Sequence, residues 1–112
     1  MIIYHNSRCS KSRQVLGLLK ENGEEPDVIE YLKEPLGQAE LEGLLKKLKV
    51  PAHDLLRVKE DEYSELGLSP DTPAEDILTA IALNPILRER PIVVKGRQAV
   101  IARPPELVEV LL

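Results

Sequence analysis

The chain has 112 residues, 43% of them apolar and 30% charged, with a formal charge of −4 at pH 7. That is the composition of one globular domain with a single core, and it argues against a disordered segment or a general polyanion binder. With no Phe or Trp and three Tyr, the chain lacks a base-stacking platform and nucleic-acid binding is not expected; nor is any apolar run long enough to cross a membrane.

The elements follow in chain order. "IIY" (Ile2 to Tyr4) is a short apolar run that predicts a buried strand. Polar "HNSRC" breaks it, and a helix is expected from Cys9 or Ser10 with Ser12, Val15, Leu16 and Leu19 on one face. Asn22-Gly23 is a helix stop. "DVIEYL" (Asp27 to Leu32) predicts a second strand, so that the first third of the chain has the layout of a parallel βαβ unit. "QAELEGLLKKLK" carries Leu41, Leu44, Leu45 and Leu48 at helical spacing. "PAHDLLR" and "EDEYSELGL" read as short turns of helix. "TPAEDILTAIALN" starts with Thr72, Pro73 and Glu75 in the order of an N-cap, a first-turn proline and a capping box, with Ile77, Leu78 and Ile81 facing inward. "PIVV" (Pro91 to Val94) and "AVIA" predict a hairpin turned at "KGRQ", where Gly96 is free to take positive φ. Pro104 or Pro105 opens a last helix through Leu107, Val108 and Leu111.

The order β-α-β, helices, β-β-α predicts an α/β fold of the thioredoxin kind: a mixed four-stranded sheet with helices on its faces. The expected organisation is a single domain over 1–112 with a helical insertion at about 36–88. The N-terminus shows neither the charged nor the apolar region of a signal peptide.

Cys9 is the only cysteine. It cannot make an internal disulfide, and a reducing cytoplasm is the compartment expected. A lone cysteine is either a small buried hydrophobe or a nucleophile. Its place in a polar strand-to-helix turn favours the second. Unpaired N–H groups at a helix start, with Arg8, Lys11 and Arg13 nearby, stabilise a thiolate and hold an oxyanion by the same means. A phosphatase-type loop needs C-x5-R, but Val15 stands where that arginine would be. A C-x-x-C exchanger needs a second thiol, and that position is Ser12. A redox cycle at Cys9 must therefore borrow its second thiol from outside, and glutathione is the expected donor. Among the arginines, Arg57, Arg90 and Arg103 stand at element ends, as surface charges or as oxyanion ligands. In a thioredoxin-like fold the loop before the third strand lies beside the cysteine, which puts Arg90 opposite Cys9, with Arg90-Pro91 expected to be cis. Arg88 and Arg97 read as solvated charges. His5 and Asn6 are either loop polarity or a cation or hydrogen-bond donor that helps keep Cys9 ionised. One Cys and two scattered His, His5 and His53, make no metal-ligand pattern, so no metal is expected.

"YHNSRCSKSR", "LLR", "NPILRERPIVV" and "ARPPEL" together resemble the glutaredoxin-coupled arsenate reductases, over nearly the whole chain. The resemblance implies a thioredoxin-like sheet with a helical insertion. It implies that Cys9 attacks arsenate, that Arg57, Arg90 and Arg103 hold the oxyanion and its reduced product, and that His5 supports the thiolate. Asn6, Arg8, Ser10, Lys11, Ser12, Arg13 and Pro91 would support the site. It further implies no bound cofactor, glutathione as co-substrate, glutaredoxin as the resolving partner, and a monomer. Ser7 departs from the pattern, standing where many relatives have proline. Two other families share the fold. One contains non-enzymatic transcription regulators that bind RNA polymerase, usually with the C-x-x-C switch that Ser12 forbids. The other contains reductase-like proteins lacking part of the arginine triad. The alternatives are thus such a regulator, or another glutathione-linked thiol reductase.

Overall fold

In the computed structural model, which describes residues 1–112, β1 (Ile2–His5) buries Ile3 and His5, the period-two pattern of a strand covered on one face. The helix laid on that face, α1 (Ser10–Glu21), buries Ser12, Val15 and Leu19. These positions, spaced three and four apart, form one stripe. The two periodicities together bring Ile3 against the apolar part of α1 and leave His5, further along the same strand face, under its polar first turn. Asn22 caps α1 and Gly23 follows at φ 78°, the left-handed helix stop expected of Asn-Gly.

Strand β2 (Asp27–Glu30) pairs with β1 in parallel, and β3 (Ile92–Lys95) pairs with β1 antiparallel. Strand β4 (Gln98–Ile101) closes the hairpin with β3, and the sheet order is β2-β1-β3-β4. Gly96 turns that hairpin at φ 62°. Ile3, Val15, Leu19, Val93, Ala102, Val108 and Leu111 form the core cluster of this part of the chain. Each contributes roughly 1.5–3 kcal/mol when a Val, Leu or Ile is fully buried.

Register decides what gathers at one edge of the sheet. His5 is level with Glu30, and Ile92 is level with both Tyr4 and Ile101. The chain therefore leaves β1, β2 and β4, and enters β3, at the same end. The Asn6–Cys9 turn, the Tyr31–Lys33 turn, Arg90-Pro91 and Ala102-Arg103 all lie there. The Ala102 N–H bonds the Pro91 carbonyl at 3.0 Å and ties two of these segments together.

The chain divides into two compact units, Met1–Glu34 with Arg90–Leu112, and Pro35–Glu89. The second is helical. Its α2 (Gln38–Leu48) buries Leu41, Leu44 and Leu48, and α4 (Ala74–Leu83) buries Ile77, Leu78 and Ile81. These two helices meet, and α4 also rests on short 3-10 turns at Ala52–Leu55 and Pro85–Leu87. The small α3 (Asp61–Glu65) buries nothing. A bridge between Leu56 and Arg88 ties the middle of the unit to its last residues. No helix is long and apolar enough to cross a membrane.

Several expected details differ. Strand β2 stops at Glu30, because the Lys33 and Glu34 N–H groups both turn back to the Glu30 carbonyl. Thr72 does not cap α4: the N-cap is Pro73, and the Thr72 hydroxyl accepts the Ser69 N–H instead. The last helix is a 3-10 segment, Pro105–Leu111, and Leu107 is exposed on it. Arg88 is not a solvated charge but 1% exposed. The Leu56 bridge draws its backbone into the helical unit and its side chain is enclosed with it.

Candidate active site

Cys9 is the N-cap residue of α1, extended at φ −95° and ψ 122°, and no side-chain hydrogen bond caps the helix. The turn in front of it is held from several sides. The Cys9 N–H bonds the Asn6 carbonyl at 3.0 Å. The Asn6 side-chain oxygen accepts the Arg8 N–H at 3.0 Å, and Arg13 Nη1 donates to the Ser7 carbonyl at 2.8 Å. The Ser7 N–H reaches Glu30 Oε1 at 3.3 Å. Asn6 and Arg13 thus shape the turn by hydrogen bonding. Arg8, Ser10 and Lys11 are exposed around it.

Ser12, fully buried, holds the site from beneath. Its Oγ accepts the Asn6 N–H at 3.1 Å and shares a hydrogen bond with His5 Nδ1. Burial pushes the His5 pKa down, Arg13 and Lys20 push the same way, and Glu30 opposes them. His5 is therefore held toward neutral imidazole. Of the two roles expected for His5, this disfavours the cation and leaves the hydrogen-bonding one. His5 reaches the thiol through Ser12, whose N–H faces the sulfur.

Cys9 is half-buried, and burial alone would raise its pKa. The Ser12 N–H, the Arg90 charge, the Lys11 N–H and a guanidinium donor of Arg90 outweigh burial, so the net shift is downward. These are the groups that stabilise a thiolate at an uncapped helix start. Arg90 Nε and Nη1 are themselves buried and have no hydrogen-bond partner. Buried donors left unpaired are costly, on the order of 1–3 kcal/mol each. Here they stand beside the Cys9 thiol, where an oxyanion would satisfy them. The Arg90-Pro91 bond is cis, as expected; Arg103-Pro104 is cis as well, which the sequence reading did not anticipate.

Arg103 reaches the same end of the sheet as Cys9 and Arg90, with its side chain exposed. Arg57 belongs to the Pro35–Glu89 unit. There its guanidinium pairs with Glu60, and its Nε lies 3.8 Å from Glu89. Glu30 was missed. Hydrogen bonds from Ser7, together with Lys33, hold its carboxyl down at about 2. The signal was present in the pattern, since a parallel β1–β2 pair sets the two strand ends side by side. No group of His, Cys, Asp and Glu is arranged to hold a metal ion.

A mixed sheet in this order, with one activated thiol where β1 passes into α1, defines a thioredoxin-like protein with a single-cysteine site. The ArsC family model matches residues 4–111, and the chain belongs to the ArsC family. It is 53% identical over 108 residues to the uncharacterized protein YfgD of Escherichia coli K12, spanning 95% of this chain and 91% of that one. It is 45% identical over 112 residues to an arsenate reductase of Neisseria meningitidis, covering 98% and 96% of the two chains. The solved arsenate reductase of Vibrio cholerae superposes with a TM-score of 0.95 at 42% identity, over 99% of this chain and 96% of that one.

Proposed function

We propose that the protein reduces arsenate to arsenite through the Cys9 thiolate, with glutathione and glutaredoxin supplying the electrons, as a monomer in a reducing cytoplasm. The observation that carries the reading is the pairing of a thiol of lowered pKa with the unpartnered buried donors of Arg90. Arsenate is an anion at neutral pH, and so is the thiolate that attacks it. Their encounter requires fixed positive donors in place before the charge develops. Arginine suits this because its fork points two donors at an oxyanion and its charge does not titrate. Arg57 and Arg103 are the further cations of this proposal.

In the proposed cycle the Cys9 sulfur attacks arsenic, an S–As bond forms and an arsenate oxygen leaves as water. A glutathione thiol then attacks the adduct. The two electrons that take As(V) to As(III) come from two thiols, which end as a disulfide. Glutaredoxin clears the mixed species, arsenite leaves and Cys9 returns as thiolate. Overall, arsenate and two thiols give arsenite, a disulfide and water. Ser12 in place of a second cysteine is the reason the second thiol is assigned to an outside molecule.

The test is NADPH oxidation coupled through glutathione reductase, with arsenate, glutathione and glutaredoxin present. Arsenate-dependent turnover that vanishes in Cys9→Ser is the expected result. No turnover above the protein-free rate overturns the proposal. In that event, co-purification with RNA polymerase would favour the regulator, and glutathione cycling at Cys9 without arsenate would favour a different thiol reductase.

A further inference from the structure

Beside the Cys9 turn lies an open cleft of about 250 Å³. Its walls are the two turns that leave the parallel strands β1 and β2. Asn6, Ser7 and Arg8 form one side, and Glu30, Leu32 and Lys33 the other. The carboxyl ends of parallel strands are where open α/β sheets bind their ligands, and the cleft is a shallow one, slightly smaller than the range of about 300–1,000 Å³ usual for small-molecule sites.

The charges in this cleft are mixed and close together. Lys33 Nζ lies 3.1 Å from Glu30 Oε2. Arg8 bonds only through its backbone N–H, and its guanidinium makes no ion pair. Leu32, 44% exposed, supplies an apolar wall. An inorganic oxyanion has no use for Glu30 or Leu32. A zwitterion does. The ammonium and carboxylate of an α-amino acid head group match a carboxylate and an ammonium held a few ångströms apart, so one exposed ion pair is exchanged for two. A second carboxylate matches Arg8.

We infer that this cleft is the seat of the thiol co-substrate, a peptide thiol of the glutathione class, with its head group on Glu30 and Lys33 and its distal carboxylate on Arg8. The inference rests on the proposed glutathione-linked chemistry. Reach is sufficient: a tripeptide spans about 10 Å when extended, and Arg8 and Cys9 are chain neighbours about 3.8 Å apart at Cα. The ligand's central thiol then lies over the Ser7–Cys9 turn, within reach of the Cys9 sulfur or of a group carried on it.

The experiment uses disulfide exchange in the whole protein and needs no arsenate. The Cys9 thiolate attacks one sulfur of glutathione disulfide, the Cys9–glutathione bond forms, and the other glutathione leaves as thiolate. The same reaction is run with bis(2-hydroxyethyl) disulfide, which is uncharged. Mass spectrometry gives both rate constants, and their ratio reports recognition of the peptide free of any change in Cys9 reactivity. Lys33→Glu and Glu30→Gln should each lower the ratio by roughly ten-fold, the scale of one charge-assisted hydrogen bond. Lys47→Glu, the same charge change on α2, should leave it within about two-fold, as a screened surface charge does. A ratio unchanged in Lys33→Glu and Glu30→Gln overturns the assignment, and so does an equal fall in Lys47→Glu, which would mean net charge alone is read. Failure of arsenate turnover with the ratio effects present would remove the arsenate reading and leave the cleft assigned. Normal turnover with flat ratios would remove the cleft alone.

Discussion

Arg90 and Arg57 are both half-buried arginines, and the protein treats them in opposite ways. Arg90 keeps two buried donors without a partner beside a thiol whose pKa it lowers. Arg57 is neutralised within its own unit by Glu60 and Glu89. A guanidinium already paired with carboxylates has little attraction left for an anion, because any newcomer must first displace them. One with buried unpaired donors has its desolvation cost already met by the fold, so an arriving oxyanion gains nearly the full interaction. Of the two cations in the proposed site, Arg90 is therefore the readier to take an oxyanion, and the state of its hydrogen bonds decides this more than its charge or its depth.

Substitutions can break this comparison, beginning with the nucleophile both arginines would serve. Cys9→Ser should reduce arsenate turnover to background in the coupled assay, while the thermal midpoint stays near that of the parent. Arg90→Ala should lower kcat/KM for arsenate by roughly 100- to 1,000-fold, the loss of a preorganised charge-assisted donor. It should also move the midpoint of Cys9 alkylation up toward the ordinary thiol value of about 8.5. Arg57→Ala should cost less, roughly ten-fold, and should leave the alkylation midpoint unchanged. If Arg57→Ala costs as much as Arg90→Ala, the distinction drawn between them is wrong. Glu60→Gln sharpens it from the other side: with one competing carboxylate gone, KM for arsenate should fall a few-fold. Arg97→Ala, at an exposed turn residue, is the control and should change neither KM nor kcat.

Two smaller effects concern the support beneath Cys9. Ser12→Ala leaves His5 Nδ1 and the Asn6 N–H without their shared partner. Loss of about 1–3 kcal/mol of unfolding free energy is expected, read from urea titration. His5 is a base whose folded pKa lies below its unfolded one, principally because it is buried. Below the unfolded value, about 6.5, the unfolded chain binds the proton more readily, so stability falls as pH drops through that value toward the folded pKa. The urea midpoint should decline between pH 7 and pH 5, and His5→Gln should flatten that decline. Glu30 has the opposite character, an acid held down at about 2. Its contribution is present above about 4.3 and is lost as pH falls toward the folded value.

How much of this was legible in the sequence depends on the range of the interaction. The strand at Ile2 to Tyr4, the buried face of α1 and the turn at Gly96 follow from periodicity and local backbone preference, which act within a few residues. Cys9 at a helix start is legible for the same reason. The contact between His5 and Ser12 was within reach, since strand alternation puts His5 on the Ile3 face and helical spacing puts Ser12 on the Val15 face. It needed both periods combined across a turn. The burial of Arg88 was not legible in this way. It stands two residues from Arg90 in an irregular stretch, and its enclosure depends on tertiary packing that no local pattern carries. Thr72 shows the limit of a motif: the capping-box residues are in order, yet its hydroxyl finds the Ser69 N–H first.

Ser12 carries one more consequence. With a hydroxyl sealed at that position and no second thiol among the 112 residues, a Cys9 that has been oxidised or derivatised has no way back by its own means. A two-cysteine enzyme can close a ring on itself and wait for its reductant. In the proposed cycle this chain must be met by another thiol at every turnover, and until then it stays blocked. Throughput in that cycle would be set by the concentration and redox poise of the surrounding thiols as much as by the protein's own rate constants. The same pool of protein would run fast where those thiols are reduced and stall, with Cys9 occupied, where they are depleted.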